Sequence, residues 1–385
     1  MSSFVKDLFG NKIYDLYKRS IDDVKFVFED LDYLKLYNQH KVLQAFKEHK
    51  ISDSHFVSTT GYAYTDLGRE GIENLYKEIF KTESALVRLQ FVNGTHAIGC
   101  AILGNLTKGE ILFSITGKPY DTIQNIIGLD DHEEYKGSLK DLGVKYLECD
   151  LKNDKFDVDK IVETIINNPK IKMIYIQRSR GYSLRKSILV DEIKHIVKII
   201  KSTNKDINIF VDNCYGELVE TKEPGHVGAD IVVGSLMKNL GGGIAPTGGY
   251  IAGNQDLVYM VAERLTAPGI GKDLGANFNL NNAFFKGIFM APNAVKNALK
   301  TAIFTAYMLE KLEYSNVSPR YDEPRTDIIQ TLELKSKENL VNFTQVFNKA
   351  VRLIHLSMFY QLQCQDILLM RLWLRVALLK AVQSN

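Results

Sequence analysis

The chain has 385 residues, 45% of them apolar, enough to bury one large core and a second, smaller one. Its 48 basic and 46 acidic side chains nearly cancel, which argues against nucleic acid or an anionic membrane surface as a partner. The four cysteines, Cys100, Cys149, Cys214 and Cys364, are widely spaced with no C-x-x-C pair, so they read as reduced thiols of a cytoplasmic protein. Charges interrupt MSSFVKDLFGNKIYDLYKRS too often for a secretory signal, and no transmembrane span precedes residue 350.

From about residue 10 to 50, apolar residues recur at three- and four-residue steps among Lys, Asp and Glu, which predicts an N-terminal helical segment over residues 1–55. A loop through Gly61 and Gly68 follows, and then a predicted helix over Gly71–Phe80. Tyr62, Tyr64 and Arg69 in this loop offer two phenols and a cation to a phosphate, including one held by a neighbouring subunit; the alternative is a structural role for all three.

Between residues 85 and 235, the strand-like runs ALVRLQFV, EILFSI, KYLECD, IKMIYIQ, INIFVDN and ADIVVGS alternate with helical stretches. That alternation predicts an α/β domain, a mainly parallel sheet flanked by helices. Such a sheet binds ligands at the carboxyl ends of its strands, so the residues just after each strand carry the chemistry.

After the first strand, VNGTHAIGCAILGNL opens a helix whose leading amides are free to bind a phosphate. Gly94 permits the tight turn and Thr95 adds a hydroxyl, while His96 either lies against a ligand or caps the helix. After the second strand, Tyr120 in TGKPYDTI is either a ring for stacking on a ligand or a core aromatic. Asp212 ends the fifth run. The tract GSLMKNLGGGIAPTGGYIAG, residues 234–253, places Lys238 after an apolar strand and before glycines that let backbone approach a ligand closely. A desolvated lysine has a lowered pKa and forms a Schiff base readily, the property that a pyridoxal 5′-phosphate (PLP) enzyme requires. On that reading Asp212 pairs with the pyridine nitrogen, and Ser235 donates a further hydrogen bond to the phosphate. No clustered Asp, Glu or His set argues for a metal, and no G-x-G-x-x-G follows a strand.

Five ordered tracts, TGYAYTDLGREGIE, VRLQFVNGTHAI, TGKPYDT, IFVDNCYGE and the lysine tract, carry a family resemblance across roughly residues 10–345. The chain resembles the fold-type I PLP enzymes of cysteine and methionine metabolism, most closely the methionine γ-lyase-like or aluminium-resistance branch. The resemblance implies a PLP-dependent transferase-like fold, a large domain over 56–292 and a linker helix with a smaller domain over 293–385. It implies a homo-oligomer, a dimer of dimers with each active site at a dimer interface. Lys238 would hold the cofactor, Asp212 its pyridine nitrogen and Tyr120 its ring face. Gly94, Thr95 and Ser235 would bind its phosphate, helped by Tyr64 or Arg69 of the partner chain. The implied activity is carbon–sulfur lysis of a sulfur-containing amino acid, giving a thiol, ammonia and a 2-oxo acid. Another PLP reaction, of aminotransferase or aldolase type, and a catalytically inactive PLP-fold protein are the alternatives.

The C-terminus departs from the family. The small-domain arginine that grips a substrate carboxylate by a bidentate pair is not identifiable here. Val351 to Asn385 contains nine leucines, no glycine, no proline and one acid, so it lacks the turn residues of a small α/β domain. Either LLMRLWLRVALLKAV is an apolar helix, or the reading frame changes near residue 350; the second is the expectation adopted.

Overall fold

The computed structural model describes residues 2–62, 65–129, 136–181, 183–350 and 378–382. The chain divides into two compact units: one formed by residues 32–181 and 185–296, the other by residues 1–31, 182–184 and 297–385.

The first unit is built on a seven-stranded sheet. Its strands are β1 (Ser84–Arg88), β2 (Ile111–Ser114), β3 (Lys145–Glu148), β4 (Ile171–Gln177), β5 (Asn208–Asp212), β6 (Ile231–Ser235) and β7 (Gly249–Gly253), in the spatial order β1-β7-β6-β5-β4-β2-β3. All neighbours are parallel except β7, which runs antiparallel to both β1 and β6. Because β7 reverses twice, β1 points the same way as β2 to β6, and six strands present their carboxyl ends to one edge. The mainly parallel sheet is thus as the sequence predicts. The antiparallel strand hidden in the end of the glycine tract is not predicted, because GGYIAG lacks the β-branched run that marks the other strands.

The helices are, in chain order, α1 (Ser2–Asp23), α2 (Lys25–Glu48), α3 (Asp53–Phe56), α4 (Leu67–Phe80), α5 (Gly94–Asn105), α6 (Asp121–Ile127), α7 (Val158–Asn167), α8 (Val190–Thr203), α9 (Gln255–Leu265), α10 (Asn281–Lys311) and α11 (Lys337–Ala350). The strands are apolar on both faces: every residue of β6 and β7 is buried, as expected of a sheet covered by helices on both sides. A continuous core joins Leu86, Leu112, Tyr175, Phe210 and Val233 of the sheet to Ala97, Ile98 and Ala101 of α5 and Val258 and Val261 of α9. Helix α4 begins earlier than the sequence predicts, because Asp66 caps it by accepting the Arg69 amide at 2.9 Å.

The second unit holds α1, the first turns of α2, the last turns of α10, α11, and the strands β8 (Val317–Ser318), β9 (Ile329–Glu333) and β10 (Leu378–Val382). Strand β9 is central, antiparallel to β8 and parallel to β10. Its Leu332 packs with Ala306, Leu309, Val317, Leu334 and Leu340. The predicted frame change near residue 350 and most of LLMRLWLRVALLKAV lie outside the described residues; within it, Leu378–Val382 form a strand rather than a helix. Helix α10, predicted from Asn293, starts at Asn281 and runs through Pro292.

Candidate active site

The carboxyl edge of the sheet gathers most of the residues singled out in the sequence. Asp212 closes β5, where it pairs in register with Gln177 at the end of β4 and with Val233 of β6. Its side chain is 6% exposed. One carboxylate oxygen accepts the Cys214 amide at 3.1 Å and the other accepts the Tyr175 hydroxyl at 3.2 Å. Burial raises the Asp212 carboxyl pKa, opposed by the charge of Lys238 and by the bonds from Cys214 and Tyr175.

Lys238 follows Leu236 and Met237 beyond β6 and is half-buried. Its Nζ lies 3.9 Å from the centre of the Tyr215 ring, over the ring face. Tyr215 reaches that position from a left-handed backbone, φ 72°, in the turn after Asp212, and Leu218 in the same turn has φ 59°. Two non-glycine residues in that region within four positions mark a turn whose shape is imposed by its surroundings. Desolvation acts to lower the Lys238 pKa, in the direction that the sequence predicts. Its neighbours Cys214, Tyr215, Asp212 and Glu217 outweigh that effect, and the net direction is upward. The expectation of a lowered lysine pKa is therefore corrected: each of these groups favours the ammonium once it is ionised.

Helix α5 starts at the same edge. Asn93 caps it, its side-chain oxygen accepting the His96 amide at 2.8 Å, which leaves the amides of Gly94 and Thr95 at the helix start. Gly94 is closely approached: a β-carbon there would stand 3.0 Å from the Ser235 β-carbon and 3.4 Å from the Cys214 sulfur, so the neighbours would have to give. The same turn thus lies against both β6 and the segment after β5. Thr95 Oγ1 is 2.9 Å from Thr122 Oγ1, joining the starts of α5 and α6. Tyr120 sits at the N-cap of α6, half-buried against the core, and its amide donates to Gln177 Oε1 at 2.8 Å. Ser235 is 2% exposed and its hydroxyl accepts the Met237 amide at 3.2 Å. Gly94, Thr95, Tyr120, Asp212, Ser235 and Lys238 accordingly belong to one edge.

His96 makes a local contact at the start of α5. Its Nδ1 accepts the Val92 amide at 3.1 Å and its ring lies edge-on to Phe91, while burial lowers its pKa and favours the neutral imidazole. Arg69 is 3% exposed on α4, within the electrostatic reach of the buried Glu73–Arg88 pair. Tyr62 is 84% exposed, and Tyr64 lies outside the described residues. The glycines after Lys238 face protein rather than an open ligand space at two positions. A β-carbon on Gly241 would meet Leu236 O at 1.7 Å, and one on Gly249 would meet Ala97 at 2.8 Å. Those glycines close the loop on itself and seat α5 against β7.

The sequence does not reveal what supports this edge. Arg178, fully buried after β4, donates to Asn213 Oδ1 at 2.7 Å, to Gly216 O at 2.8 Å and to Glu220 at 2.6 Å, and so holds the turn that carries Cys214 and Tyr215. Asn213 in turn donates to Glu223 at 3.0 Å. Glu217, in that turn, is fully buried. Sequence offers no signal for either, because a solvated turn reads the same way as one pinned from below. The three described cysteines, Cys100, Cys149 and Cys214, are buried free thiols.

These residues fit a pyridoxal phosphate group: a lysine with a buried carboxylate beside it, and a glycine turn at a helix start whose missing β-carbon leaves room next to a serine. Comparison with known proteins places the chain among lyases. A candidate cystathionine beta-lyase involved in aluminum resistance from Clostridium acetobutylicum is 47% identical, with 88% of this chain and 81% of that one covered and a TM-score of 0.86. A carbon-sulfur lyase involved in aluminum resistance from Clostridium novyi is 44% identical, covering 89% of this chain and 81% of that one, with a TM-score of 0.84. The pyridoxal-5′-phosphate dependent protein YhfS of Escherichia coli, 15% identical over 75% of this chain and 72% of its own, shares the fold with a TM-score of 0.56. The methionine gamma-lyase family matches residues 13–360, and the chain belongs to that family of lyases.

Proposed function

We propose that this protein is a PLP-dependent carbon–sulfur lyase that acts on a sulfur-containing amino acid and releases a thiol, ammonia and a 2-oxo acid. The observation that carries this reading is the convergence of Lys238, Asp212 and the Gly94–Ser235 close approach on one sheet edge. The match to carbon–sulfur lyase relatives across most of the chain supports it.

Lys238 would hold the cofactor through Nζ, Asp212 would bond the pyridine nitrogen, and the amides of Gly94 and Thr95 with Ser235 would hold the phosphate. When bound, PLP supplies an electron sink for a carbanion at the substrate α-carbon. The chain's own residues do the rest. The Lys238 amine would be the group that takes the substrate α-proton and returns it. Asp212, when ionised, would favour a proton on that nitrogen. Tyr120, fixed through its amide by Gln177, would present its ring to the cofactor. We further propose a cytoplasmic homo-oligomer, a dimer of dimers, in which Arg69 or Tyr64 approaches the partner's site.

The test is a product assay. The PLP-loaded protein is incubated with cystathionine, cysteine and methionine, and thiol, ammonia and 2-oxo acid are measured against Lys238→Ala. Equal release of all three products by wild type alone supports the lyase. With a second 2-oxo acid added as amino acceptor, release of the substrate's 2-oxo acid without ammonia or thiol would replace it with an aminotransferase.

A further inference from the structure

Behind Lys238 stands a carboxyl that the elimination chemistry does not use. Glu217 is fully buried. Its Oε1 accepts the Tyr250 hydroxyl at 3.1 Å, while Oε2 has no hydrogen-bond partner among the described residues. The residue is fixed at the lysine by its backbone, because the side chain of Asn239, next after Lys238, donates to Glu217 O at 2.9 Å. Strand β6 is cut away where the acid and its partner meet: a β-carbon on Gly234 would stand 2.5 Å from Glu217 Oε1 and 2.6 Å from the Tyr250 hydroxyl. A buried carboxylate with one oxygen left unbonded is costly, whereas a neutral carboxyl that carries its proton on Oε2 is much less so.

The charged and titratable groups that act on Glu217 come from every neighbouring element: Lys238 beyond β6, Cys214 and Glu223 flanking the turn, Tyr250 on β7 and Tyr76 on α4. Arg178, bonded to Gly216 O, spends its charge on Glu220 and Glu223. Burial pushes the Glu217 carboxyl up to about 8, against the opposing pull of its own backbone amide and of Lys238.

We propose that Glu217 is a positioning residue that sets the charge of Lys238: it is neutral while the lysine amine must react, and its ionisation adds an anion that locks the lysine as ammonium. The inference rests on Lys238 being the reactive amine of the proposed function. Glu217 touches no substrate in this scheme; it acts through the lysine.

The experiment measures Lys238 chemistry rather than turnover. Cofactor-free protein is mixed with PLP across a pH series; the lysine amine condenses with the aldehyde and releases water, and borohydride reduces the product for peptide mass spectrometry. Wild type and Glu217→Gln should label at equal rates well below pH 8, where Glu217 is uncharged. Above pH 8 the variant should label faster, by about tenfold for a one-unit fall in the lysine pKa. Glu217→Asp, which restores a titrating group, should return towards the wild-type profile. Superimposed wild-type and Glu217→Gln profiles would overturn the role of Glu217. Absence of label at Lys238 in wild type would instead overturn the lysine assignment. An independent reading needs no variant that folds: the wild-type infrared spectrum should show a protonated carboxyl band that is lost as pH rises through about 8. Absence of any band lost there would also overturn the proposal.

Discussion

Lys238 and Glu217 differ in how they can be read. Lysine after an apolar strand is rare enough to stand out, whereas Glu217 lies in NCYGELVE, a stretch with the composition of any polar turn. Only the fold shows that the missing side chain of Gly234 leaves room for that carboxyl and the Tyr250 hydroxyl. A pH dependence of stability follows. Glu217 has a folded-state pKa of about 8 against an ordinary 4.5, so the folded protein holds a proton that the unfolded chain releases. Its contribution is fully present below pH 4.5 and is lost progressively as pH rises towards 8. Glu217→Gln should flatten that fall, by a few kcal/mol across the window, in denaturant titrations at successive pH values. An unchanged slope would mean that Glu217 is ionised throughout. The lysine pKa shows the opposite limit of sequence reading: desolvation is legible there, but not the acids that outweigh it.

At the level of elements, the site is a set of strand ends and one helix start, and each has a support that can be removed. Asn93→Ala deletes the α5 cap and should cost about 1 kcal/mol while slowing cofactor uptake only modestly. Gly94→Ala forces a β-carbon against Ser235 and Cys214. It should cost about 1–3 kcal/mol and weaken PLP retention much more than Asn93→Ala does, as measured by dialysis and residual absorbance. Arg178 is the most demanding case. Removing it leaves Glu223 and Glu220 without their guanidinium, and Arg178→Met should lower stability by about 3–5 kcal/mol in thermal unfolding. The strands β1 to β6 are legible because their apolar runs, bounded by turn residues, are too short for buried helices. Strand β7 is not, since glycine conceals strand propensity, and the support beneath the Asp212 turn comes from residues brought together only by folding.

On the scale of the whole molecule, the sheet order explains why residues from 94 to 238 converge. Strands β5 and β6 are adjacent and carry Asp212 and Ser235 to the same edge, while the double reversal at β7 brings α5 and Gly94 there from the opposite side. The family match reaches residue 360, so the unusual leucine-rich sequence lies largely beyond it. Within that sequence only Leu378–Val382 is described, as a strand beside β9. Sequencing the coding DNA across codon 350 tests the expected frame change, and an intact frame would dismiss it. Sedimentation of the PLP-loaded protein should give a tetramer, whereas a monomer that still binds PLP would remove the partner-chain role proposed for Arg69 and Tyr64.

The central claim is that Lys238 holds the cofactor, and the most direct measurement is the absorbance spectrum of purified protein after PLP addition and gel filtration, beside Lys238→Ala. A visible band retained by wild type and missing from the variant is the predicted result. A band of equal strength in both, or in neither, would contradict the assignment of Lys238 and with it the proposed chemistry.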